Sequence, residues 1–146
     1  MTVQRLRVIQ KSISPYVLFL MKTKNPDDIV TKKLQWMDYT NHRFISPHSP
    51  GGGGLALYWK QHVELEILNS CQNYLDTSIK SEEKMVFATF LYGERDRTKR
   101  KLIWAQLTAI GTAREVPWFL SGDFNDIIDS TEKTGGPTRP EAWTCD

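Results

Sequence analysis

The sequence predicts an α/β layer structure on a mixed, largely antiparallel sheet, and three observations carry that prediction. Short apolar runs of strand length, "YVLFL", "LALYW", "MVFATFLYG" and "VPWFLSG", recur along the 146 residues. Around them stand segments with the periodicity of amphipathic helices. Between them, "VELEIL" and "NYLDTSIK" alternate apolar with polar residues, as strands with one wet face do. With 40% hydrophobic and 25% charged residues, neither a disordered nor a fibrous chain is indicated. The length suits one domain or part of one, and no internal repeat or low-complexity linker divides it. Residues 1–146 are therefore read as a single domain, with 130–146 as an irregular tail marked by Gly135, Gly136, Pro137 and Pro140.

Each element follows from local chemistry. "TVQRLRVIQKSI" puts Val3, Leu6, Ile9 and Ile13 on one helical face; Ser14-Pro15 then breaks the helix before the buried-type strand "YVLFL". "NPDDIVTKKLQW" predicts a second helix, with Asn25 as cap, Pro26 in the first turn and Asp27 and Asp28 at the positive end of the dipole. Ile29, Lys33 and Trp36 then fall near one stripe. "HRFISPHSPGGGG" reads as a loop; its glycines are a flexible turn or, less simply, a phosphate cradle, although no Lys-Ser/Thr follows and a strand comes next.

"LALYW" and "VELEIL", separated by Lys60-Gln61-His62, predict an antiparallel hairpin. Ser81 to Lys84 turns "NYLDTSIK" into "MVFATFLYG", which is apolar almost throughout and belongs in the middle of a sheet covered on both faces. From Thr98, "TKRKLIWAQLTAIG" predicts a helix that buries Ile103, Leu107 and Ile110 and stops before Gly111. "VPWFLSG" is another covered strand, with Asp123 at its tip.

A net charge of +2 is too small to imply a nucleic-acid partner by itself. Cys71 and Cys145 are far apart and lie in no CxxC motif, so free thiols in a reducing, intracellular compartment are expected. His42, His48 and His62 stand in polar, loop-like contexts that predict surface histidines. No apolar run approaches bilayer length, so no membrane is expected. Residues 1–24 carry Arg5, Arg7, Lys11, Lys22 and Lys24 without an acid, the composition of a mitochondrial presequence; they also fit a first helix and strand.

Two apolar strands end in polar groups: "FLYG" at Tyr92 and "FLSGDFND" at Asp123 and Asn125. An Asp can orient or deprotonate water, an Asn amide can donate to a phosphate oxygen, and a Tyr hydroxyl can support developing negative charge. Taken alone, the pattern is also an ordinary turn after a strand. The cluster Arg95, Arg97, Lys99, Arg100 and Lys101 stands at a helix start, where cations oppose the dipole, and so points to an anionic partner such as nucleic-acid phosphate. A solvated face neutralised by Glu94 and Asp96 is the simpler reading. Trp104 is read as core before base-stacking platform.

Taken in order, "VLFLMKTK", "GGGGLALYWK", "FATFLYG" and "PWFLSGDFNDIIDSTEKTGG" resemble the endonuclease/exonuclease/phosphatase family, most of all the endonuclease domain of plant LINE-type, non-LTR retrotransposons. The resemblance implies a four-layered, deoxyribonuclease-like α/β sandwich, Mg²⁺-dependent cleavage of a phosphoester, and a nuclear setting. It implies that Asp123 aligns or activates the attacking water, that Asn125 binds phosphate and that Tyr92 is the active-site tyrosine. It also implies an incomplete domain with the C-terminal part of the fold missing, because neither an opening Trp-Asn strand nor a later Ser-Asp-His block is present. An apolar sheet face would then be left open to self-association.

Where relatives read Met-Glu-Thr-Lys, with Glu as a metal ligand, this chain reads "MKTK" and Lys22 takes the position. Magnesium wants oxygen ligands, and an ammonium about 4 Å from it at an effective dielectric near 20 is repelled by roughly 8 kcal/mol before relaxation. The sequence therefore predicts no bound cofactor, although the intact family uses Mg²⁺. The leading expectation is a retrotransposon-derived remnant with vestigial Asp123, Asn125 and Tyr92. A metal-independent nucleic-acid binding module and a residual Mg²⁺-dependent endonuclease remain the alternatives.

Overall fold

The computed structural model describes residues 3–49, 52–81, 83–127 and 134–136. Pro50 and Gly51 at the glycine run, Glu82 of the Ser81 to Lys84 turn, and residues 128–133 and 137–146, with Pro137, Pro140 and Cys145, lie outside them. The elements run α1 (Val3–Ser12), β1 (Val17–Met21), α2 (Asp27–Leu34), β2 (Asn41–Ile45), β3 (Leu55–Trp59), β4 (Glu64–Ser70), β5 (Tyr74–Ser81), β6 (Lys84–Tyr92), α3 (Arg97–Thr112) and β7 (Trp118–Asp123). They form a three-stranded sheet in the order β1-β3-β2 and a four-stranded sheet in the order β4-β5-β6-β7. Every pairing is antiparallel except β6 with β7, which the helical crossover α3 makes parallel.

Side-chain alternation on β3 explains the layering. Ala56 and Tyr58 point outward into a core with Leu6, Leu20, Val30, Leu34 and Met37 of the α1 and α2 layer. Leu55 and Leu57 point the other way, onto Leu75, Ala88 and Phe90 of the second sheet. α3 covers the far face of that sheet, where Leu107 packs with Tyr74 and Leu91. The result is a helix, sheet, sheet, helix sandwich, mixed and largely antiparallel. No helix among the described residues is long and apolar enough to cross a membrane.

Several local expectations are corrected. β3 and β4 are not a hairpin: both edges of β3 are taken by β1 and β2, so the link at Lys60 passes the chain to the other sheet. β2 overlaps the start of the segment read as loop and puts His42 in a strand, with its ring centroid 4.8 Å from that of Phe44. On α2 the buried residues are Val30 and Leu34, not Ile29 and Lys33, and Pro26 rather than Asn25 occupies the cap position. Asn25 instead donates to the Thr23 carbonyl at 2.7 Å. Ile13 falls past the end of α1 and is 71% exposed. Gly111 lies inside α3, where the Trp118 ring packs so closely that a Cβ would strike it. β7 is half-covered, with Phe119 45% exposed, because it is the outermost strand of its sheet among the described residues. Cys71 is a free thiol, half-buried beside the α3 core.

α3 is held at both ends. Asp96 caps its start, accepting from the N–H groups of Lys99 at 3.1 Å and Thr98 at 2.9 Å, which hold the carboxyl below its usual range. Just beyond its end, Arg114 pairs with the buried Asp76 of β5, and its guanidinium lies 4.0 Å from the Phe87 ring centroid. Asp76 also accepts from the Thr89 hydroxyl at 2.6 Å, and Trp118 Nε1 donates to that same hydroxyl at 2.9 Å. Arg114→Met leaves a buried carboxylate without its cation and should cost about 3–5 kcal/mol. Urea denaturation should show that loss, and the double change Arg114→Met with Asp76→Leu should recover a large part of it.

Candidate functional site

The parallel register of β6 and β7 sets Tyr92 beside Asp123. Past the strand ends the pairing continues: Gly93 N–H donates to the Asp123 carbonyl at 2.6 Å, and Asn125 Nδ2 donates to the Gly93 carbonyl at 2.7 Å. Asp123 Oδ1 accepts from the Asn125 N–H at 3.0 Å, which closes a tight turn and holds Asn125 at φ 50°, a region Asn tolerates better than most residues. Glycine is required twice. A Cβ at Gly93 would fall on the Phe124 carbonyl, and one at Gly122 on the Leu91 carbonyl.

The other sheet supplies Lys22 at the end of β1. It also has positive φ, 56°, and the turn is backed by the glycine run: Thr23 N–H donates to the Gly54 carbonyl at 3.2 Å and Lys24 N–H to the Gly53 carbonyl at 3.1 Å. Gly53 and Gly54 thus work as a backing strip for the Lys22 turn. The Lys22 ammonium lies 5.0 Å from the centroid of the Tyr92 ring. Burial alone would push the Tyr92 hydroxyl up, but hydrogen bonding from the Lys22 and Asn125 side chains, with the charges of Lys22 and Arg95, outweighs it and lowers the pKa below the ordinary 10.0. Lys22, Tyr92, Asp123 and Asn125 therefore meet at one rim.

The basic cluster divides. Arg95, Arg97, Lys99 and Lys101 are exposed, whereas Arg100 is 7% exposed. Arg100 donates to Asp126 at 2.7 Å and to the carbonyls of Glu94 at 2.8 Å and Arg95 at 2.9 Å. It is a clamp between α3 and the turn after β7, not a solvent-facing contact, which corrects its place in the expected nucleic-acid set. Sequence reasoning also missed Asp126, although it stands in "DFND" two residues past the motif carboxylate's neighbour. Trp104 stacks on Phe124 with centroids 5.8 Å apart, a packing role.

The donors that the described residues bring to this rim do not suit magnesium. Among the described residues no group of three or more His, Cys, Asp or Glu is placed to hold a metal ion. Asp123 is the carboxylate at these strand ends, that of Asp126 is engaged by Arg100, and an ammonium lies over Tyr92 in the same rim. A hard divalent cation needs more oxygen charge than that.

The profile described as "Endonuclease/Exonuclease/phosphatase family" matches residues 3–145. The chain belongs to the endonuclease/exonuclease/phosphatase family. Solved structures share the fold. The D. rerio TDP2 structure, complexed with single-strand DNA product, aligns with a TM-score of 0.59 at 16% identity, covering 86% of this chain and 54% of that one. The endonuclease domain of TRAS1, a telomere-specific non-LTR retrotransposon, aligns at 0.56 and 10% identity, covering 84% and 52%. The human Nocturnin catalytic domain with bound sulfate aligns at 0.55 and 16% identity, covering 86% and 56%. The chain spans about half the length of these structures. No curated protein matches.

Within this rim, Tyr92 should be the tyrosine that ionises first in an ultraviolet titration, while Tyr58, buried among apolar groups, is pushed up to about 12. Lys22→Met should move the Tyr92 transition upward. Since folding lowers this pKa, its contribution to stability is fully present only above the unfolded value of 10.0 and disappears as pH falls through the folded one. The contribution is thus an alkaline one. An unchanged first transition in Lys22→Met would refute the contact.

Proposed function

We propose that this chain is a hydrolytically silent member of its family, descended from an endonuclease domain of plant LINE-type, non-LTR retrotransposons. One observation carries the reading: the Lys22 ammonium lies 5.0 Å from the Tyr92 ring centroid, at the rim where Asp123 and Asn125 also stand. A positive side chain there opposes a divalent ion by several kcal/mol, and Asp123 alone does not offset it. Without the ion, Asp123 retains a place to orient water, and among the described residues the charge that builds up on a phosphate in transfer would be met by Lys22, Tyr92 and Asn125, with Arg95 near. The order of the "MKTK", "LALYW" and "GDFN" motifs supports the retrotransposon descent.

A second reading has its own support. Lys22 and Arg95 both place positive charge at Tyr92, and Arg97, Lys99 and Lys101 extend it over the exposed first turn of α3. This stripe suits direct, metal-independent contact with the phosphates of single-stranded nucleic acid.

One pair of measurements separates the readings. With purified chain and supercoiled plasmid, no nicking is expected at any Mg²⁺ concentration, nor for Lys22→Glu; nicking that Asp123→Ala abolishes would overturn the silent reading. With a single-stranded oligonucleotide in chelator, affinity should fall as salt rises, and Lys22→Met should reduce the log–log slope by about 0.7. Salt-insensitive or absent binding would sink the second reading and leave the first intact.

A further inference from the structure

On the outer face of the three-stranded sheet, between α1 and α2, lies a cavity of about 180 Å³, open at one side. Leu6, Leu20, Val30 and Leu34, all buried, provide its apolar wall. Lys22, Thr23, Asn25 and Lys33 provide the polar one, and Lys33 is exposed. From this pairing of an apolar floor with a cationic edge, we propose that the cavity binds a small aromatic carboxylate, ring inward and carboxylate toward Lys33, since the Lys22 ammonium is turned away to Tyr92. The proposal is independent of the family site's activity.

Size, polarity and charge agree. An apolar protein cavity of about 150 Å³ accepts a benzene ring, so this one has room for a ring with one small charged substituent and too little for a larger drug-sized molecule. The leucine and valine side chains desolvate a ring well but offer nothing to a buried charge, which must therefore sit at the open side. Lys33 takes part in no ion pair among the described residues. Residues 3–34, which supply the whole lining, contain seven Lys and Arg against two acids, Asp27 and Asp28. Asp27 is turned aside to accept from the Ser46 hydroxyl at 2.6 Å. The charge balance of the lining segment thus favours anions over cations of equal shape.

Benzoate and benzylamine, which differ mainly in charge sign, test the proposal on the full chain. In a methyl NMR titration, benzoate should give saturable shifts confined to the lining methyl groups of Val3, Leu6, Leu20, Met21, Val30 and Leu34. Benzylamine should bind about tenfold more weakly, and Lys33→Gln should weaken benzoate about two- to fivefold without altering the melting temperature. Val30→Phe, which fills the floor, should abolish both; if that variant fails to fold, Lys33→Glu serves in its place and should erase the preference for benzoate. Absence of saturable shifts, or equal affinity for the two ligands, overturns the proposal.

Discussion

The geometry of the site depends on one constraint: two neighbouring strands, β6 and β7, run parallel and in a register that leaves their last residues side by side. Parallel neighbours need a crossover, and α3 supplies it. Because the helix is held by Arg100 to Asp126 at one end and by Arg114 to Asp76 at the other, the register cannot slip without breaking a nearly dry ion pair. Tyr92, Asp123 and Asn125 inherit their relative positions from that arrangement. They are positioned by the sheet, and their own side-chain contacts only refine the placement.

Lys22 enters from a different sheet and on a different footing. Its backbone is held in a left-handed conformation by the neighbouring glycines, so the ammonium is delivered across the gap to Tyr92 by a turn rather than by a strand. Two sheets that share one apolar interior, Leu55 and Leu57 against Leu75, Ala88 and Phe90, therefore also share a polar rim. The rim's charge is set by whichever side chain the β1 turn carries, and here that is a cation.

Much of this was legible in the sequence. Apolar runs such as "LALYW" and "MVFATFLYG" announce central strands because a strand buried on both faces has no polar alternative. The polar ends at Tyr92, Asp123 and Asn125 were readable for the same reason, as interruptions of those runs. Other features were not. β2, "NHRFI", carries His and Arg and becomes a strand only because β3 offers it an edge. "LALYW" and "VELEIL" are neighbours in sequence, yet one is buried on every side and the other is half wet, and that difference signals membership of separate sheets. Arg100 could not be told from Arg97 or Lys101 by type; only the helix face that meets Asp126 separates them. The encounter of Lys22 with Tyr92 is a long-range contact between layers, beyond the reach of any local pattern.

Gly93 and Gly122 carry a further consequence for how such a protein can change over generations. At either position a single methyl group collides with a neighbouring backbone carbonyl, so drift there tears the template itself. Residues that merely project from the template, as Lys22 does, meet no such barrier. The scaffold is thereby insulated from the fate of its chemistry: a lineage can exchange the cutting apparatus for something else, or lose it altogether, while the mould in which it was cast keeps its shape.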